Sequence, residues 1–254
     1  MTKNLVIIPT YNEKENIRNI TKAVFEKIDT HILIVDDNSP DGTGKIADEL
    51  AEENEYKGRL FVLHRSKKEG LGKAYVAGFK WALERDYEHI FEMDADFSHN
   101  PDYLPLFLEK IKEYDLVIGS RYVKGGGVQN WSFLRMLISK GGSLYSRMIL
   151  GIPIKDLTGG YKCFRRIVLE SIDLDNLLLS GFGFQIEMNY RAYKKGFRVY
   201  ELPIIFTDRL LGKSKMSQKI FFEALLLVIK LRLKVRETPI SLPPAGSSAS
   251  DKPR

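Results

Sequence analysis

The feature that most constrains this chain is an alternation repeated along its first half. Leu5–Ile8, Ile32–Val35, Leu60–Leu63, His89–Met93 and Leu116–Gly119 are short apolar runs that read as strands. Between them, Glu13–Ile28, Gly44–Glu53, Gly72–Glu84 and Pro101–Lys112 read as amphipathic helices. Strands separated by helix-length segments predict βαβ units and a mainly parallel sheet. Parallel strands all deliver their carboxyl ends to one edge, and the ligand crevice of an open α/β sheet lies there.

That edge is where the polar residues collect. Pro9-Thr10-Tyr11-Asn12-Glu13 follows the first run and Asp36-Asp37-Asn38-Ser39-Pro40-Asp41 the second. Asp94-Ala95-Asp96 follows the fourth, and Ser120-Arg121-Tyr122 the fifth. Helix capping accounts for some strand-end carboxylates, with Asp41 or Asn38 suited to it. It does not explain why two aspartate pairs and an arginine converge on one edge.

Asp94 and Asp96 repel each other and resist desolvation, so the pair implies a compensating partner. A hard divalent cation, held by one or two carboxylates and by substrate phosphates, fits. The competing reading is a cap plus a solvated aspartate. Of Asp36 and Asp37, one is expected to accept from a ribose or base and the other to hold its loop. Tyr11 suits stacking on a base. Glu13 suits either a base contact or the positive end of a helix dipole. Lys67-Lys68-Glu69-Gly70-Leu71-Gly72-Lys73-Ala74 enters a helix with backbone N–H groups that suit an anion, but it matches neither the P-loop nor the dinucleotide fingerprint.

Composition removes other classes. The 254 residues, 44% hydrophobic and 28% charged, suffice for one large α/β domain. The single cysteine, Cys163, excludes an intramolecular disulfide and suits a core filler. The four histidines lack zinc-ligand spacing. No secretory leader is evident, and no apolar stretch reaches the ~18 residues of a membrane span.

The second half is less regular. Lys124-Gly125-Gly126-Gly127 reads as a mobile loop or hinge. Trp131–Leu150 reads as an amphipathic helix or helix pair broken near Gly141-Gly142. Asp156–Phe164 and Phe197–Phe206 read as extended, and Phe184–Lys195 as helical. Gln218–Val235 is strongly apolar and reads as a helix, although Ile229–Val235 alternates at period two and permits a strand. Glu237–Arg254, rich in Pro, Ser and Gly, reads as a disordered tail. Charge is uneven: Arg209–Arg236 holds eight basic residues and one acidic, whereas residues 1–208 hold 29 basic and 30 acidic. The basic segment is either a solvated face or a surface for phosphates or anionic lipid. The Trp131–Leu150 stripe, with Arg135 and Lys140, suits either core or a membrane interface. Arg209-Leu210-Leu211-Gly212-Lys213-Ser214-Lys215 is a basic loop with a glycine pivot, suited to closing over a substrate.

Together these motifs resemble the family-2 glycosyltransferases with the GT-A fold, and among them the dolichyl-phosphate (polyprenyl-phosphate) mannose synthases. Beyond the strand-end clusters, Asn130-Trp131, Arg135, Ile138-Ser139-Lys140-Gly141, Asp156-Leu157-Thr158-Gly159 and Asp208-Arg209 carry the likeness, which spans about residues 4–216. The resemblance implies a Rossmann-like, mostly parallel sheet flanked by helices over 1–216, an amphipathic basic segment over 217–236, and the tail over 237–254. It implies that Pro9, Tyr11, Glu13, Val35, Asp37, Asp94, Ala95, Asp96, Arg209 and Lys215 bind the nucleotide sugar. Asp94 and Asp96 would hold Mg²⁺ or Mn²⁺. Arg121, Arg135, Ser139 and Lys213 would hold the acceptor phosphate, with Asp94, Asp96 and Arg121 catalytic. Some relatives carry Gln as a metal ligand where this chain has Ser98, a shorter and poorer donor. The implied reaction is inverting transfer of mannose from GDP-mannose to a polyprenyl or dolichyl monophosphate, peripheral to the cytoplasmic face of a membrane. Nucleic acid is not an expected partner; a small membrane-anchoring subunit is compatible. The alternatives are UDP-glucose as donor, a non-lipid acceptor needing a base that no residue here supplies, and a non-catalytic nucleotide-binding module.

Overall fold

The computed structural model describes residues 3–178, 182–207 and 218–235. Arg209, Lys213 and Lys215, with the expected tail, lie outside them. The first half follows the sequence pattern: β1 (Asn4–Thr10), α1 (Ile17–Lys27), β2 (His31–Asp36), α2 (Thr43–Glu52), β3 (Leu60–His64), α3 (Leu71–Leu83) and β4 (His89–Glu92). The helix expected over Pro101–Lys112 divides into a 3-10 turn, Pro101–Tyr103, and α4, Leu104–Lys110. Pro101 and Pro105 each lack an N–H and are tolerated only in a first turn, so each opens its own segment.

The second half continues with β5 (Leu116–Ser120), β6 (Gly127–Gln129), α5 (Phe133–Leu150), β7 (Lys162–Arg165) and α6 (Arg166–Ser171). After these come α7 (Phe182–Lys194), β8 (Val199–Pro203), β9 (Ile205–Thr207) and α8 (Gln218–Lys234). Among the described residues the main sheet has the order β3-β2-β1-β4-β7-β5-β8. All its pairings are parallel except those of β7, which runs antiparallel between β4 and β5. The order turns back between β1 and β4, and the crevice of such a sheet opens at that reversal. β6 and β9 form a separate parallel pair. Alternate strand residues serve opposite faces: Leu5 and Ile7 join one core, Val6 and Ile8 the other.

Several expectations need correction. The glycine run after Tyr122 is a tight turn, not an open hinge: Gly126 N–H donates to the Val123 carbonyl at 3.0 Å. A Cβ on Gly126 would lie 2.5 Å from the Ser120 carbonyl, so only glycine fits there. α5 is one unbroken helix through Gly141-Gly142; neither glycine has positive φ. Each glycine costs the helix about 1 kcal/mol, offset by burying Leu150 and packing Tyr145 and Ile149 against the core. Ser132 caps its start by accepting from Arg135 N–H at 3.3 Å, and Gly151 ends it at φ +65°. Of Asp156–Phe164 only the end is strand. Phe197–Phe206 divides between two sheets at Ile204, whose N–H donates to the Ser120 carbonyl at 3.1 Å. The period-two stretch before Val235 is helical. α8 buries Val228 and Leu231 in the core, with Val235 just past its end, while Leu226 and Leu233 are exposed, so it is apolar on both faces and packed on the domain. No helix among the described residues is long and apolar enough to cross a membrane.

Candidate active site at the carboxyl ends of the strands

The loops after β1 and β2 are braced against each other. Asp36 accepts from Thr10 Oγ1 at 3.0 Å, from Ser39 N–H at 3.0 Å and from Ser39 Oγ at 2.6 Å. The Ser39 hydroxyl in turn accepts from Asn12 N–H at 3.1 Å, and Thr43 Oγ1 accepts from Glu13 N–H at 2.9 Å. Asp41 accepts from Thr43 N–H at 3.0 Å and from Thr43 Oγ1 at 2.6 Å, at the start of α2. Asn12 and Asn38 take left-handed backbone, φ +61° and +56°, which asparagine tolerates better than most residues. Asp36 is therefore the residue that holds the loop. Asp37 faces the Arg65 guanidinium; burial pushes its carboxyl up against the pull of Arg65. Pro9 and Val35 are register partners at the same edge. Lys68 Nζ lies 3.7 Å from the centre of the Tyr11 ring. The Glu13 carboxylate accepts from Asn16 Nδ2 at 2.9 Å.

Asp94, Ala95 and Asp96 follow β4, beside the reversal in strand order. Asp94 Oδ1 accepts from the Tyr75 hydroxyl at 3.2 Å. Tyr75 is fully buried, which drives its hydroxyl well above its ordinary range and keeps it a neutral donor. Asp94 N–H donates to His99 Nδ1 at 3.0 Å, and the His99 ring stacks on Tyr161 at 4.8 Å. Asp96 Oδ1 accepts from Ser98 N–H at 3.1 Å and Ser98 Oγ at 2.6 Å. Ser98 thus orients Asp96. Phe97, between them, has φ +61°, a strained conformation for a bulky side chain of the kind that clusters at functional sites. His99 lies beside the pair, its Nε2 4.0 Å from Asp94 Oδ2, but its Nδ1 is taken by the Asp94 N–H, so the two oriented carboxylates are the donors the motif offers a hard cation. That set fits a divalent cation completed by substrate phosphates.

Beneath this loop, Glu92 on β4 and Lys162 on β7 are register partners, fully buried, 3.7 Å apart. Burial dominates both: Glu92 is raised to about 7 and Lys162 lowered to about 8. Lys162 also donates to Gln185 Oε1.

Arg121 follows β5 and is not an open cation. Its Nε donates to Asp156 Oδ2 at 2.7 Å, Nη2 to Asp156 Oδ1 at 2.7 Å, and Nη2 to Thr158 Oγ1 at 2.8 Å. Burial alone would raise the Asp156 carboxyl, but Arg121 holds it below its usual range. The Arg121 guanidinium also lies 5.1, 5.5 and 5.5 Å from the ring centres of Tyr122, Trp131 and Phe206. Arg135 lies 4.3 Å from the Trp131 ring centre, and Tyr122 donates its hydroxyl to Ser139 Oγ at 2.7 Å. Phe206 joins the two halves: it touches the His99 ring at 5.8 Å and the Trp131 ring at 5.5 Å. The aspartate motif and the Arg121–Arg135–Ser139 group are therefore neighbours. Sequence reasoning missed His99 and Phe206 as parts of the site. The position of His99 just past the aspartates was a usable signal; Phe206 offered none.

Residues 5–173 match the model of the Glycosyl transferase family 2. The chain is 49% identical over 236 residues to a polyprenol monophosphomannose synthase of Mycolicibacterium smegmatis, covering 92% of this chain and 88% of that protein. It is 47% identical over 233 residues to an undecaprenyl-phosphate mannosyltransferase of Micrococcus luteus, covering 91% and 95%. Among solved structures it resembles a glucosyl-3-phosphoglycerate synthase from Mycobacterium tuberculosis in complex with Mn²⁺ and UDP-glucose. There the TM-score is 0.65 at 14% identity, over 90% of this chain and 78% of that one. A mannosyltransferase from Pyrobaculum calidifontis in complex with GDP-Man and Mn²⁺ gives 0.56 at 15% identity, over 91% and 70%. The structural likenesses show the GT-A fold, and with the family match and the sequence identities the conclusion is plain: this chain belongs to glycosyl transferase family 2.

Proposed function

We propose that the protein transfers mannose from GDP-mannose to a polyprenyl or dolichyl monophosphate, inverting the anomeric centre. The observation that carries this reading is the juxtaposition across Phe206. An oriented carboxylate pair suited to a cation and a diphosphate lies beside a cluster of arginines suited to a second phosphate. The names of the two relatives supply the sugar and the lipid acceptor.

Pro9, Tyr11, Glu13, Val35, Asp37 and Ala95 line the nucleotide side in this reading, and Arg121, Arg135 and Ser139 the acceptor side. Asp94 and Asp96 would hold Mg²⁺ or Mn²⁺, which when bound supplies charge stabilisation to the departing diphosphate. The acceptor phosphate is already an anion at neutral pH, so its oxygen attacks the anomeric carbon without a general base. As that C–O bond forms, the bond to GDP breaks and GDP leaves with the electron pair. Orientation and charge are then what the chain contributes. Asp156 fixes the Arg121 guanidinium, Ser98 fixes Asp96, and Tyr75 and His99 fix Asp94. Arg209, Lys213 and Lys215, which lie outside the described residues, would complete the donor and acceptor contacts.

The same reading places the protein at the cytoplasmic face of a membrane. Phe133, Leu137, Leu144 and Met148 on α5, together with Leu226 and Leu233 on α8, are exposed large apolar side chains. α5 and α8 are tied where Arg232 Nη1 donates to the Leu150 carbonyl at 3.0 Å. Flotation with anionic vesicles tests this; protein left at the bottom of the gradient at low salt contradicts it.

The decisive experiment for the reaction is a donor panel with GDP-mannose, UDP-glucose and UDP-N-acetylglucosamine, farnesyl phosphate and Mn²⁺. Mannosyl transfer from GDP-mannose is expected. Product from the UDP sugars alone overturns the donor assignment.

A further inference from the structure

We propose that the indole N–H of Trp131 donates a hydrogen bond to an oxygen of the acceptor phosphate, so that Trp131 centres that phosphate between Arg121 and Arg135. The inference rests on the acceptor reading above and adds a ligand to it.

Asn130 turns the chain into α5 with left-handed backbone, φ +62°. The turn sets the Trp131 ring edge-on to Phe206 at 5.5 Å. Two cations share that ring: Arg135 at 4.3 Å and Arg121 at 5.5 Å from its centre. The indole nitrogen is buried and has no hydrogen-bond partner. An indole N–H can only donate, and a buried donor left unmatched bears its full desolvation cost. A phenylalanine would supply the same ring to both arginines without that cost, so what tryptophan adds here is the donor.

Asp156 is occupied by Arg121 through both oxygens. Ser139 Oγ accepts from Tyr122, which leaves the Ser139 hydroxyl hydrogen for another acceptor. The orphaned indole N–H and the Ser139 hydroxyl hydrogen, set beside the Arg121 and Arg135 guanidiniums, suit an anion with several oxygens. A phosphate monoester meets that requirement.

The chain has two tryptophans, which makes a direct test simple. Trp81 packs on Phe61 at 5.2 Å and on Tyr87 at 6.0 Å, outside the site. In Trp81→Phe protein all tryptophan emission comes from Trp131. Farnesyl phosphate is expected to shift that emission, whereas farnesol at equal concentration leaves it unchanged. In Trp131→Phe protein the KM for farnesyl phosphate is expected to rise about tenfold or more, as for a hydrogen bond to a charged group. The KM for GDP-mannose should hold, and unchanged GDP affinity certifies the fold. An unchanged acceptor KM, or emission that responds equally to farnesol, overturns the proposal. Absence of transfer to farnesyl phosphate by the wild-type protein instead refutes the acceptor reading. In that event the Trp131 emission response to farnesyl phosphate alone decides whether the tryptophan binds a phosphate.

Discussion

The two halves of the site are built differently. On the nucleotide side, the loops after β1 and β2 are held by many small ties: Thr10 to Asp36, Ser39 to Asp36, Asn12 to Ser39, Glu13 to Thr43. On the acceptor side, one buried ion pair between residues 35 apart, Arg121 and Asp156, fixes the guanidinium. A distributed network loses little when one member is removed. A single buried pair, once broken, leaves a charge in low dielectric with no partner.

The difference sets the order of the expected effects. Asp156→Ala strands the Arg121 guanidinium and should cost about 3–5 kcal/mol. For a protein of this size that corresponds to a fall in Tm of roughly 10 °C. Thermal melts measure it, and a fall of one or two degrees would show that the pair is not the keystone of its half.

The Glu92–Lys162 pair beneath both halves predicts a pH dependence. Glu92 titrates near 7 in the fold against an ordinary value of 4.5. Between those values the native state keeps a proton that the unfolded chain gives up, so this group lowers stability as pH rises through that window. Glu92→Gln lacks the titration. Its stability relative to wild type should therefore climb between pH 4.5 and 7 and level off above; a constant difference in urea melts contradicts the assignment.

Ser39→Ala should have the smallest effect, about 1 kcal/mol, because Thr10 and the Ser39 backbone N–H still hold Asp36. A loss as large as that of Asp156→Ala would erase the distinction between the two halves.

The same contrast governs what could be read from sequence. The nucleotide side was legible because its residues directly follow strands, and parallel strands deliver their ends to one edge. Spacing could not divide the labour within it. That Asp36 braces the loop while Asp37 meets Arg65, and that Ser98 orients Asp96, depends on side-chain directions. On the acceptor side, residue identities came from resemblance to a family. Arg121 read as a phosphate ligand, but its tie to Asp156 was not legible because that partner lies on a distant irregular segment, and Phe206 bridges the halves through a pairing of β6 with β9 that no local pattern announces. The break expected at Gly141-Gly142 failed because tertiary burial along α5 outweighs glycine's helix penalty.

In the proposed reaction the two halves meet so that the acceptor phosphate displaces GDP directly. The anomeric configuration of the product tests it. With GDP-α-mannose and farnesyl phosphate, NMR of the purified mannosyl phosphate should show the β anomer alone. An α-linked product would contradict direct displacement and require either a second displacement or front-face attack.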